Sequence, residues 1–283
     1  MPFDPRLTPA RGDIAASHLK GQVEAKTFRD GERFQVVRSH AALRAGPKDL
    51  TEQVNQALFG EIVTVYDQSD GWAWGQLESD GYVGWMALAG LSDKLVLPSH
   101  RVSALRTFVF ARPDLKSAPL MALSINAKFA AGEIQKGFIR AEGSGWIFTG
   151  HVAPIAEVEP DFVAVAERFV GAPYLWGGRD SIGLDCSGLV QMSLEAAGVK
   201  VLRDSDMQAT SVGQVILPEP GFSNLKRGDL VFWTGHVGIM LDAARMIHAN
   251  AWHMATEIEL LADAVARIAR VAGEVKAVRR PLP

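Results

Sequence analysis

One cysteine stands in 283 residues. That scarcity excludes an internal disulfide, a resolving thiol for a redox cycle and a multi-cysteine metal site, so any chemistry Cys186 performs it performs alone. Charge of one sign is also scarce: 29 Lys and Arg against 32 Asp and Glu leave a formal charge of −3. No basic field exists to condense on nucleic acid or an anionic membrane, and neither is expected as a partner. No apolar run is long enough to span a bilayer. The first twenty residues carry Asp4, Arg6, Arg11 and Asp13 in place of the apolar core of a secretion signal. With an initiator Met1, the expected compartment is the cytoplasm.

What is present is the composition of an ordinary folded protein, 48% apolar and 22% charged, at a length that suits two or three units. From Ala42 to Trp85 short β-branched and aromatic runs alternate with turns: Glu61 to Tyr66, Trp72 to Leu77 and Gly81 to Trp85, separated by Asp70-Gly71 and Asp80-Gly81. This predicts a small antiparallel barrel. A fainter copy runs from Val102 to Val152, with Ala131-Gly-Glu133 set like Phe59-Gly-Glu61 and Ser144-Gly-Trp146 like Asp70-Gly-Trp72. Both runs resemble the bacterial SH3-like domain, whose signature is this Gly-Glu then Gly-Trp order. Pro98, Pro154 and Pro160 punctuate the second copy. The expected domains are residues 1–95, 96–157 and 158–283.

Beyond Pro160 the texture changes. Apolar residues at 162, 165, 166, 169 and 170 keep helical spacing up to Gly171, and a second helix is expected from Ser187 to Ala197, stopping at Gly198. Strands are expected over 229–234, 236–241, 246–250 and 275–278, with a short helix over 260–269. Helices on an antiparallel sheet make an α+β domain.

Cys186 directly precedes the second helix, where unpaired amides and the helix dipole favour a thiolate and are expected to lower its pKa. The competing reading is a small buried hydrophobe, but Asp185-Cys-Ser-Gly188 suits a polar strand-to-helix corner better than a core. A nucleophilic thiol needs a base, and the base needs an orienting group. His236 opens one expected strand and His248 closes the next. With a turn centred on Asp242 the two lie directly opposite on one face. A two-residue turn at Ala243-Ala244 would put them on opposite faces. Taken singly, each histidine competes with an ordinary structural or surface role.

Pro173-Tyr-Leu-Trp-Gly-Gly178, Asp185-Cys-Ser-Gly188, Gly228-Asp-Leu-Val-Phe232, Gly235-His-Val-Gly-Ile239 and Ile247-His-Ala249 together resemble the NlpC-type cell-wall peptidases across most of residues 160–280. The resemblance implies a papain-like fold behind two small all-β SH3-like barrels, with Cys186 as nucleophile, His236 as base and His248 as orienter. It also implies that Tyr174 lies beside the thiol and helps hold the oxyanion; without the family Tyr174 would be read as a core aromatic. Neither metal nor organic cofactor is implied, and His248 with His253 forms no convincing metal set with Cys186.

The family cleaves peptidoglycan stem peptides between the D-glutamate γ-carboxyl and the following diamino acid. Arg203-Asp-Ser-Asp-Met-Gln208 resembles the pocket motif of a γ-D-glutamyl-L-diamino acid endopeptidase subgroup that carries SH3-like domains and requires a free N-terminal L-Ala. On that resemblance Asp185, Glu52 and Tyr82 are expected around the substrate ammonium, Ser205 and Arg203 at the D-glutamate carboxylate, and Ser187 in the same polar pocket. For Arg203 a surface salt bridge competes, as do a loop charge for Glu52 and a barrel aromatic for Tyr82. The expected substrate is a freed wall tripeptide or tetrapeptide, and the expected role is recycling. Two rivals are a papain-like amidase or lipid acyltransferase and a non-catalytic module that binds wall peptides. Nothing in the sequence indicates an oligomeric state.

Overall fold

Asp70 and Gly71 both take positive φ, 48° and 81°, and Ser69 pairs with Trp72 across them. This is the two-residue hairpin turn whose twist matches its strands. The computed structural model describes residues 3–281; residues 1–2, including the Met1 that entered the localisation expectation, and 282–283 lie outside it. The chain divides into two compact units, Met1–Glu157 and Val158–Pro283. Among the described residues no helix is long and apolar enough to cross a membrane.

The first unit is all β apart from short 3-10 turns. A seven-stranded sheet is built from Glu32–Val36, His40–Arg44, Gln53–Leu58, Ile62–Ser69, Trp72–Leu77, Val83–Ala87 and Leu91–Ser92. The second copy has a five-stranded sheet from Arg106–Phe110, Pro119–Ser124, Ala131–Gln135, Phe138–Ala141 and Gly145–Phe148. It repeats the tight turn at Lys136-Gly137, φ 50° and 80°. Val102, Val109, Leu123, Phe129, Ile139 and Ile147 fill its core. The segment before the first barrel covers that barrel's aromatic face: Ile14, Ala16 and Leu19 pack with Tyr66 and Trp74. Arg11 lies between two indoles, 4.5 Å from the Trp74 ring and 4.8 Å from Trp85, and is ion-paired to Asp67 at 2.6 Å.

The second unit is the α+β domain. Its helices are α1 (Phe162–Glu167), α2 (Cys186–Ala196), α3 (Ser205–Ser211) and α4 (Leu261–Ala272). Its sheet holds β1 (Gln214–Ile216), β2 (Leu230–Trp233), β3 (His236–Met240), β4 (Arg245–Asn250), β5 (Ala255–Leu260) and β6 (Ala277–Arg280), in the antiparallel order β1-β6-β2-β3-β4-β5. β1, β5 and α3 are additions to the elements expected from sequence, each short or carrying charge at alternate positions. Helix α2 is buried on nearly every side, with only Glu195 partly open, so it forms the middle layer against β3 and β4. On its far side from α2, the sheet packs Val231, Trp233, Met240 and Met246 with Leu261, Ala264 and Ile268 of α4. This layering brings the start of α2 to the start of β3.

Candidate active site

Asp185 is extended (φ −95°, ψ −178°) and caps α2, its Oδ1 accepting from the Gly188 amide at 2.8 Å. Oδ2 accepts from the Gly177 amide at 2.8 Å, tying the Pro173–Gly178 stretch to the helix start. The Arg203 guanidinium closes on both oxygens at 2.9 and 2.7 Å. It also donates to Ser187 Oγ at 2.8 Å and to the Gly178 carbonyl at 3.1 Å. From the same segment Gln208 Nε2 donates to the carbonyls of Ser187, at 3.0 Å, and Leu202, at 2.9 Å. Arg203 is 1% exposed, so the surface salt bridge weighed for it is instead a buried, bidentate one. Asp185, Ser187 and Arg203 thus face one another and brace the helix start. Asp185 already accepts from five donors, counting Ser187 Oγ at 3.1 Å, and is no lone carboxylate open to an ammonium.

Cys186 itself is buried. Burial pushes its thiol up to about 12, Asp185 adds to the rise, and the Val237 and Ser187 amides and the Arg203 charge oppose it. The depressed thiol pKa expected at the helix start is therefore corrected. Desolvation outweighs the dipole, and the resting sulfur is a thiol. The Val237 amide that faces this sulfur is the neighbour of His236.

The β3–β4 pairing aligns Ile239 with Ile247 and Met240 with Met246, which centres the turn on Ala243. Asp242 sets this register, its Oδ1 accepting from the amides of Ala244 at 2.9 Å and Arg245 at 2.8 Å. Neither register weighed from the sequence is the observed one. His248 lies opposite Gly238, so His236 is its diagonal neighbour on the same face. Gly238 puts no side chain there, and the space its Cβ would take is filled by Met246 Cε, with His248 Cβ 3.4 Å away. On that face His236 Nε2 meets His248 Nδ1 at 2.8 Å.

The line continues beyond the residues expected from sequence. His248, wholly buried, meets Glu259 Oε1 through Nε2 at 2.6 Å, and Arg267 donates to the same oxygen. A carboxylate can only accept, so His248 Nε2 carries a proton and Nδ1 does not. His236 Nε2 therefore donates to it, and the free lone pair of His236 is on Nδ1. Both rings are held neutral. Burial first, then the charges of His248 and Arg267, bring His236 down to about 3. Burial lowers His248 too, against the pull of Glu259. Hydrogen bonding from His248 holds Glu259 below the usual carboxylate range. The signal available for Glu259 was the alternation Thr256-Glu-Ile-Glu259 beside His248, a strand pattern with two acids on one face.

Tyr174 is half-buried. Burial and the nearby Cys186 and Asp185 raise its phenol, so it stays a donor. Ser205 is buried at the first position of α3. Glu52 and Tyr82 belong to the first unit. There Glu52 is an exposed residue before the Gln53 strand, and Tyr82 is buried with its amide on Asp80 Oδ1 at 3.0 Å. His253 Nδ1 lies 3.0 Å from Asn250 Oδ1. Among the described residues no three His, Cys, Asp or Glu side chains converge to hold a metal.

Comparison with known proteins follows the same division. Residues 171–266 match the NlpC/P60 family and residues 43–91 match the bacterial dipeptidyl-peptidase SH3 domain. Two similar relatives are described as gamma-D-glutamyl-L-lysine dipeptidyl-peptidases. One is from Bacillus subtilis, 27% identical over 74% of this chain and 76% of its own length. The other is from Bacillus cereus, 26% identical over 72% and 69%. A crystal structure of an NlpC/P60 family protein from Bacillus cereus superposes with a TM-score of 0.76 at 22% identity, covering 89% of this chain and all of that one. That likeness shows the fold.

Proposed function

We infer that this chain, which carries an NlpC/P60 domain behind a bacterial SH3 domain, is a cysteine peptidase. It hydrolyses the γ-D-glutamyl–diamino acid bond of peptidoglycan stem peptides that have a free N-terminal L-Ala. The observation that carries this reading is the file His236–His248–Glu259 beside the start of α2, where the amide next to His236 faces the Cys186 thiol, on a chain whose relatives across most of its length are gamma-D-glutamyl-L-lysine dipeptidyl-peptidases. A dipeptidyl-peptidase works from a free amino end, which supports freed wall peptides as substrates, and recycling in the cytoplasm as the role.

The resting pair is a neutral thiol and a neutral imidazole, so attack and proton transfer go together. Sγ of Cys186 bonds to the γ-carbonyl carbon as its proton passes to His236 Nδ1. The imidazolium is stabilised through His248 by Glu259, and amides at the start of α2 with the Tyr174 hydroxyl take the oxyanion. Return of that proton to the leaving amine breaks the C–N bond and leaves a thioester. Water then gives a proton to His236 and attacks the thioester, the C–S bond breaks, and His236 reprotonates the sulfur. Ser205 is the remaining candidate for the D-glutamate carboxylate.

Two observations weigh against the rivals. A wall-peptide module would offer the barrel's aromatic face, which carries the chain's own Arg11. A lipid acyltransferase needs a groove free of fixed charge, whereas the cavity that His236 borders, although Trp252, Ile268 and Val271 line it, also has Arg267 and Arg270 in its wall.

The test is incubation with L-Ala-γ-D-Glu-diaminopimelate, its N-acylated form and intact sacculi, followed by mass spectrometry. Release of L-Ala-D-Glu from the free tripeptide alone is expected, and Cys186→Ala abolishes it. Cleavage of sacculi would sink the recycling role, and binding without cleavage would favour the module.

A further inference from the structure

Beside His236 lies a cavity of about 500 Å³ walled by Asn250, Trp252, Arg267 and Arg270 together with the Thr234-Gly235 turn. Its size falls within the roughly 300–1,000 Å³ that holds small ligands. None of its lining residues is acidic. Arg267 is held in place by its bond to Glu259 and by Trp252, whose ring centre is 5.4 Å from the guanidinium carbon. Arg270, one turn further along α4, is exposed and pairs with no carboxylate among the described residues. Trp252 presents an indole that is 71% exposed. A cationic wall beside an open aromatic surface suits a small amphiphilic anion.

The position of the cavity says which part of a substrate that anion is. His236 is in its wall, while Cys186, Tyr174 and Ser205 are not. The acyl group bonds to the sulfur, and the group that His236 protonates is the leaving amine. A space that shares the base but not the nucleophile therefore lies on the leaving-group side. We propose that this cavity is the subsite for the leaving residue, with Arg270 receiving its free carboxylate beside Arg267 and Trp252 lying along its side-chain stem. The proposal rests on the amide hydrolysis inferred above. It makes the enzyme selective for peptides that end at the residue after the cleaved bond, because a chain continuing beyond it replaces that carboxylate with a neutral amide.

The experiment compares L-Ala-γ-D-Glu-L-Lys with its C-terminal carboxamide, on wild-type protein and on Arg270→Gln. In the wild type, KM for the carboxamide should exceed that for the acid by about tenfold, the scale of one charge-assisted contact at a partly open site. Arg270→Gln should raise KM for the acid and bring the ratio of the two toward one. Equal KM values in the wild type, or a ratio that Arg270→Gln leaves intact, would overturn the assignment. Calorimetric titration of both peptides into Cys186→Ala protein, with and without Arg270→Gln, reads the same preference without turnover. If the wild type cleaves neither peptide, the hydrolysis reading fails, while the calorimetric ratio still decides on the cavity.

Discussion

Glu259 ends the imidazole chain, and because it can only accept, it sets the direction of every proton in that chain. Glu259→Gln keeps the shape but supplies a donor, allowing His248 to adopt the other tautomer and His236 to point its lone pair the wrong way. Turnover of the tripeptide should fall by about 10²-fold or more with KM little changed, by analogy with the loss when an orienting carboxylate becomes an amide. Steady-state kinetics read this, and an undiminished kcat would remove Glu259 from the relay. Arg203 acts differently. Arg203→Met would leave the Asp185 carboxylate buried at the α2 start without its counter-charge, a change that typically costs about 3–5 kcal/mol. Urea denaturation should show that loss, and a midpoint equal to that of the wild type would contradict the brace.

At the scale of elements, the hairpin β3–β4 depends on a side chain that is missing. Gly238→Val would drive a branched group into Met246 and against His248, with an expected destabilisation of about 1–3 kcal/mol. Displacement of the His236 ring should lower kcat on the order of 10²-fold. Kinetics paired with a thermal melt separate the two effects, and full activity would mean that the rings do not depend on Gly238. The same hairpin marks how far the sequence could be read. That both histidines share a face was one of two outcomes the spacing left open; the observed register decides it, and that register, with its diagonal offset, depends on two hydrogen bonds to Asp242. The nucleophile helix was legible from Ser187 to Ala197 because its apolar spacing and its stop at Gly198 are local signals, while its Asp185 cap came from the structure. The Asp185–Arg203 pair was not, since its partners stand 18 residues apart and each also reads as a substrate contact. Strand β5 was missed because its charges at Glu257 and Glu259 hide a half-buried edge, and the orienting carboxylate was missed with it.

For the molecule as a whole, burying neutral histidines ties stability to pH. His236 has a folded pKa of about 3, below the 6.5 of an unperturbed imidazole, and His248 is lowered as well. The His236 contribution is complete above about pH 6.5 and is lost as pH falls toward 3, because the unfolded chain takes up a proton that the folded one refuses; that of His248 has the same sign. Between those limits His236 should steepen the acid limb by up to about 1.4 kcal/mol per pH unit. Denaturation midpoints at pH 7, 6, 5 and 4 should therefore fall more steeply for the wild type than for His236→Gln; parallel curves would mean that His236 titrates normally. The arginine clasped by Trp74 and Trp85 also acts at this scale. Tethered within the same chain as the indoles it occupies, Arg11 is present there at an effective concentration of the order of millimolar. The barrel is thus a receptor already saturated by its own chain, and a free cationic peptide of ordinary affinity would have to outcompete a ligand that cannot diffuse away.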